Sequence, residues 1–402
     1  MTSELVTGIS ELTTNDPARG GLLGRLTDAA VVVDAGTIAW VGRAADAPAA
    51  DRRSDLGGRA VLPGWVDSHT HLVFAGDRSE EFEYRMAGHA YQAGGIRTTV
   101  RATTEASDER LRTELSLRRA VARRSGTTWM EIKTGYGLSV AAETRLARLA
   151  AEVTSDVTFL GAHVVPPDVD ADDYVALVAG EMLDAVRPYC TWIDVFCERG
   201  AFDPDQSRVV LEAGRAAGLG LRVHGNQLGE GDGVQLAVEL DAASVDHCNH
   251  LSARDIEALG SSGTVATLLP ACDLSTREPF PPARALLDAG ATIALASNGN
   301  PGTSNTTSMA FCVATAVLQM GLTVEEAVWA ATAGGAAALR RSDSIGAISP
   351  GYRAHLHAID APSVSHFAYR PGMDLTYRVW GDSPSPRAGG VDGNVGGRRD
   401  RG

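Results

Sequence analysis

The segment Val61–Phe74 reads VLPGWVDSHTHLVF, an apolar run ending in Asp67-Ser68-His69-Thr70-His71. If the run is a buried strand, residues two apart point the same way, so His69 and His71 aim two imidazoles at one place. A metal ion asks this of its first two ligands. Two hydrogen-bonded histidines closing a strand would look the same from this segment alone. Further histidines follow similar apolar runs: His163 after TFLGA, His224 at the end of LRVH, and His247 at the end of SVDH. The string Ser297-Asn298-Gly299-Asn300 follows TIALA. Imidazoles and amides at several strand tips form a metal-ligand constellation, provided one architecture brings those tips together.

The intervening sequence supplies that architecture. Eight short apolar runs lie at 60–66, 129–133, 158–164, 192–197, 221–225, 243–247, 264–270 and 292–297. Between them lie stretches of helical period such as ERLRTELSLRRAVARR and QSRVVLEAGRAAG. This alternation predicts a (β/α)8 TIM barrel, whose active-site residues sit at the C-terminal ends of the strands. A doubly wound open sheet would also alternate, but no Gly-rich phosphate loop follows an early strand. Short β segments near both termini lie outside the barrel register. We therefore expect a β-rich part at 1–59, the barrel at 60–343, and a C-terminal part at 344–381 completing a small composite β domain with the first. Residues 382–402, rich in Gly, Pro, Ser and Arg, read as a disordered tail.

Composition narrows the partners. The 402 residues carry a net charge of −14 and no Lys/Arg run longer than a pair, which argues against nucleic acid or an anionic membrane. No apolar run approaches the roughly 18 residues of a membrane span. Five scattered cysteines without a C-x-x-C favour a reduced, cytoplasmic setting over a disulfide framework. The N-terminus lacks the charged and apolar regions of a signal peptide.

The strings PGWVDSHTHLVFAGDRSEEFEYR, EIKTGYGL, FLGAHVVP, HGNQL, SVDHCNHLS, TLLPACDLSTREPFPPARALLDAG and ASNGNPGTSNTTSM together resemble the imidazolonepropionase family of metal-dependent amidohydrolases. The resemblance runs from about Leu5 to Gly381. It implies one divalent metal ion, zinc or iron, held by His69, His71, His224 and the residue ending the eighth strand, Asn298. Water on such an ion ionises near neutral pH. The resulting hydroxide would attack the ring carbonyl of 4-imidazolone-5-propanoate, polarised by the metal and His247, and ring opening gives N-formimidoyl-L-glutamate. The resemblance further implies that Arg78 grips the propionate carboxylate with its guanidinium fork. Tyr136 and His163 would contact the substrate, and Gln227 would both donate to and accept from the imidazolone. Asn300, Gly302 and Thr303 would bind the glutamate-like end, where backbone N–H groups of a loop and helix start favour an anion. The family also implies a homodimer.

One position departs from the pattern. The superfamily's eighth strand ends in Asp, a ligand and proton acceptor, whereas this chain has Asn298. An amide oxygen ligates weakly and accepts no proton at neutral pH. His247 is the nearest other base. Lys133 raises a second question, because two-metal amidohydrolases bridge their ions with a carboxylated lysine; EIKTGYG favours the single-metal site. Two other readings stay open: another cyclic-amide hydrolase or deaminase on the same barrel, and a relative in which Asn298 has impaired catalysis.

Overall fold

The computed structural model describes residues 2–88 and 95–381. The tail expected at 382–402 lies outside the described residues, as does His89.

Eight parallel strands form a TIM-barrel-like α/β fold. They are Trp65–Asp67, the broken strand Thr127–Met130 and Ile132–Lys133, then Val157–Ala162, Trp192–Cys197, Gly220–Gly225, Ser244–His247, Val265–Leu268 and Ile293–Leu295. The first pairs with the second from Trp65 opposite Thr127 to Asp67 opposite Met130. The ring closes beyond the ends of the first and eighth strands. There the Asn298 N–H donates to the His69 carbonyl at 3.0 Å, and the His71 N–H to the Gly299 carbonyl at 2.9 Å. Asp67 fastens the same seam, accepting from the Ser297 N–H at 3.0 Å and its hydroxyl at 2.6 Å. All eight apolar runs of the sequence thus contribute to the barrel. The first splits at Gly64, with Arg52–Pro63 belonging to a different sheet.

That sheet has six strands in the order Thr376–Val379, Leu356–Ile359, Arg52–Pro63, Glu4–Leu12, Leu26–Asp34, Thr37–Arg43. It joins strands from both ends of the chain around Val6, Ile9, Leu12, Val31, Val61 and Leu356.

Helices pack outside the barrel and start where local chemistry dictates. Ser107 caps Asp108–Arg124, Ser139 caps Val140–Ala151, and Asp203 with Gln206 forms a capping box on Pro204–Ala216. Each cap satisfies backbone N–H groups that the first helical turn leaves open. The larger core lies between helices and strands and includes Leu111, Leu146, Phe159, Ile193, Val223 and Leu295. None of the described helices is long and apolar enough to cross a membrane.

Candidate metal centre

His69 and His71 leave the end of the first strand with their Nε2 atoms 3.2 Å apart. Two nitrogens on a tetrahedral zinc ion, each about 2.0–2.1 Å from it, stand about 3.3 Å apart. His224, from the fifth strand, joins them, and one ring nitrogen from each of the three lies within 4.8 Å of the others. All three side chains are buried. The outer nitrogens explain how two of the rings are aimed. His69 Nδ1 donates to Asp246 at 2.7 Å, and His224 Nδ1 donates to Asp194 at 3.0 Å. A proton fixed on Nδ1 leaves the Nε2 lone pair for a metal. Burial and the Lys133 ammonium push His69 down to about 3, and burial takes His71 well below its ordinary value. Both are neutral imidazoles, the form a metal binds.

Beneath these rings the barrel interior holds a layer of charges. Lys133 Nζ donates to Glu131 at 2.9 Å and Asp194 at 2.8 Å, and lies 3.6 Å from Asp246. Arg222 donates to the Ala338 carbonyl and the Ser68 carbonyl, each at 2.8 Å, and reaches Asp246 at 3.3 Å. Burial opposes the charge on Lys133, but Asp194 and Glu131 overcome it and hold the ammonium above its ordinary pKa. Asp246 is likewise kept ionised against burial by Arg222, His69 and Lys133. Lys133 is therefore engaged as a cation in ion pairs. The carboxylates that steer His69 and His224 are in turn held by Lys133 and Arg222.

His247 reaches the site by a backbone irregularity. Asp246 faces inward, so regular alternation would turn its neighbour outward. Left-handed φ values of 84° at His247 and 59° at Cys248 end the alternation. The His247 ring then lies 5.4 Å from that of His224 and 5.7 Å from that of His69, centre to centre. Burial holds it well below its ordinary pKa, and its Nδ1 has no hydrogen-bond partner. Asn298 takes a φ of 52°, a conformation Asn tolerates better than most residues. Its buried Oδ1 also lacks a hydrogen-bond partner.

A cleft opens over this cluster, lined by His71, Arg78, Tyr136, His163, His224, Gln227, His247, Asn298, Asn300 and Thr303 among others. The His163 ring stacks near that of His71, 5.6 Å away at 21°. Two expectations are modified here. Arg78 does not face the cleft alone: it forms a bidentate pair with Glu81, at 2.9 and 2.6 Å. The Gly302 and Thr303 N–H groups both donate to Asn300 Oδ1 at 2.8 Å, so the loop amides expected to meet an anion already serve the Asn300 side chain. Gly302 meets Arg78 instead; a Cβ there would lie 2.2 Å from the guanidinium, so a larger residue would displace the Arg78 head from its present position.

A family model described as "Amidohydrolase family" matches residues 199–395. The imidazolonepropionase of Saccharopolyspora erythraea is 63% identical over 383 residues, covering 94% of this chain and 98% of its own. That of Arthrobacter sp. strain FB24 is 60% identical over 397 residues, with the same coverage. The chain belongs to the imidazolonepropionase family. Solved structures with the same fold include a zinc-bound adenosine deaminase from Xanthomonas campestris, at TM-score 0.70, 21% identity and coverage of 94% and 91%. Another is the zinc complex of atrazine chlorohydrolase TrzN from Arthrobacter aurescens TC1, at TM-score 0.69, 16% identity and 96% coverage of both chains.

For an imidazolonepropionase relative, the side chains that sequence reasoning passed over are those that aim others. Asp194, Glu131 and Arg222 sit inside apolar runs, WIDVFC, WMEIK and LRVHG. A charged residue at an inward position, two before the tip in LRVH, was the available signal. Glu143 is similar. Its buried carboxylate accepts from the N–H groups of Gly135 at 3.0 Å, Gly137 at 2.6 Å and Leu138 at 2.9 Å, fixing the loop that carries Tyr136.

Proposed function

We propose that the protein hydrolyses 4-imidazolone-5-propanoate to N-formimidoyl-L-glutamate, the imidazolonepropionase reaction of histidine degradation. The observation that carries this reading is the convergence of His69, His71 and His224 beneath a cleft that also holds Arg78 and Tyr136. The three imidazoles would hold one divalent cation, zinc or iron, with the partnerless Asn298 Oδ1 as a neutral fourth donor. When bound, the cation supplies a nucleophilic hydroxide at neutral pH and Lewis acidity toward a carbonyl. Commitment of Lys133 to Glu131 and Asp194 supports one ion rather than two.

The chain's own groups do the rest. His247, neutral because it is buried, accepts the proton that Asn298 cannot take, while the cation would polarise the ring carbonyl. The same proton then reaches the ring nitrogen as the C–N bond breaks. Arg78, held by Glu81, offers its guanidinium to the propionate carboxylate. Tyr136 and His163 position the ring, and Gln227 hydrogen-bonds its polar edge. Asn300 and Thr303 meet the glutamate-like end of the product, while Gly302 acts by letting Arg78 approach. The sheet joining both chain ends is the composite β domain, with the reaction confined to the barrel.

A cytoplasmic setting is supported by five buried free thiols. We extend the reading to a homodimer, checked by sedimentation giving twice the chain mass. Anaerobic incubation with freshly made imidazolonepropionate tests the activity. Loss of the ring's ultraviolet absorbance with matching formation of N-formimidoyl-L-glutamate is expected; unchanged absorbance with metal-loaded protein refutes it.

A further inference from the structure

A second cluster of donors lies beside the first. A ring nitrogen of His247, the sulfur of Cys272 and a carboxylate oxygen of Asp273 all lie within 4.8 Å of one another, and all three side chains are buried. Cys272 and Asp273 belong to the helix Pro270–Thr276 that follows the seventh strand. Two of the three residues carry unsatisfied atoms: His247 Nδ1 and Asp273 Oδ2 are buried without a hydrogen-bond partner. The other Asp273 oxygen accepts from Asn249 Nδ2 at 2.7 Å, which fixes the carboxyl group in place. Leaving such atoms unpaired costs on the order of 1–3 kcal/mol each, a cost that a bound ion or water would relieve.

We propose that His247, Cys272 and Asp273 form a second, inhibitory site for a thiophilic divalent cation such as zinc or cadmium. Nitrogen, sulfur and carboxylate oxygen are all zinc ligands, and the thiolate favours soft ions over magnesium or calcium. Donor atoms around a tetrahedral zinc ion stand about 3.3 to 3.6 Å apart, so modest side-chain rotations would close the present spacing. Coordination forms the metal–sulfur and metal–oxygen bonds and releases to solvent both the thiol proton and the proton that burial favours on the Asp273 carboxyl.

The inhibition rests on the role given to His247 above; the binding does not. A neutral imidazole carries one proton. Once one nitrogen ligates a cation, the proton must sit on the other, and His247 can no longer accept the proton of the reaction. An ion here also adds positive charge beside the substrate carbonyl without holding the nucleophile. The enzyme would therefore need one ion and be switched off by a second.

Titration of the one-metal holoenzyme with cadmium and, separately, with excess zinc tests this. A second equivalent per chain should bind, with activity falling on the order of 10²-fold, as loss of a general base does. Cadmium should produce thiolate charge-transfer absorption, a band that exchange at the first site, which has no thiolate, cannot give. In Cys272→Ala the band and the second equivalent should vanish, and activity should stay level as metal is added. Asp273→Asn should weaken the second equivalent while leaving the first. Binding that stops at one equivalent, or a band and inhibition that survive in Cys272→Ala, would overturn the site. A Cys272-dependent second equivalent with full activity would instead overturn the inhibition, and with it the proton-accepting role of His247.

Discussion

At the level of single side chains, the proposed chemistry turns on Asn298 and His247. An aspartate at the end of the eighth strand would give the cation a charged ligand and take a proton. The amide does neither, although its buried Oδ1 has no hydrogen-bond partner and its residue lines the cleft over the three histidines. Asn298→Asp is expected to raise kcat without weakening metal binding, measured by ring-opening rate and metal content together; an unchanged or lower rate would mean the amide is no deficit. Arg78 carries the second prediction. Arg78→Lys loses the bidentate fork, and a charged hydrogen bond contributes about 1.5–3 kcal/mol, so KM should rise about tenfold or more with kcat little changed. A fall in kcat alone would place Arg78 outside substrate binding. The histidines could be read from the sequence because period-2 spacing and strand-end position locate them. The Arg78–Glu81 pair and the Asn300 grip on the loop amides could not, because nothing in the spacing says which of several partners wins.

Among the elements, the strands matter for the carboxylates they carry inward. Asp194 orients His224 and shares Lys133 with Glu131, so the candidate metal site and the charge layer are one network. Asp194→Asn should lower metal affinity about 10- to 100-fold, read from competition with a chelator, while His69 keeps its Asp246 partner. Lys133→Met removes the cation from two buried carboxylates and should destabilise the fold by about 3–5 kcal/mol in denaturant unfolding. A neutral result would show that the carboxylates protonate without penalty. These residues hid in the sequence because an isolated charge within an apolar run reads as a strand edge until the barrel is closed around it. The left-handed φ at His247 was equally hidden; its neighbour Asp246, not a glycine, gave no sign of a turn.

For the molecule as a whole, eight apolar runs with helical spacers made the barrel legible. The split of the first run at Gly64 was not, since Arg52–Pro63 and Trp65–Asp67 are both apolar near their junction and only pairing separates them. The six-stranded sheet offers a test away from the cleft. His357, between the strands of Arg52–Pro63 and Thr376–Val379, is pushed by burial from 6.5 to about 3. Protonation therefore favours the unfolded chain. Its contribution is present above pH 6.5 and is lost as pH falls from 6.5 through about 3. His357→Gln should flatten the acid side of the stability curve by up to ~1.4 kcal/mol per pH unit between those limits, seen as converging denaturant midpoints. Parallel curves would show that His357 titrates normally. One cation on His69, His71 and His224 is proposed to make this fold a ring-opening hydrolase. Chelator removal followed by stepwise return of zinc or iron(II), with activity read against metal content, tests it directly. Activity should vanish in the stripped enzyme and climb in proportion to metal up to one ion per chain. Ring opening by the metal-free protein, or a maximum only at two ions per chain, would contradict it.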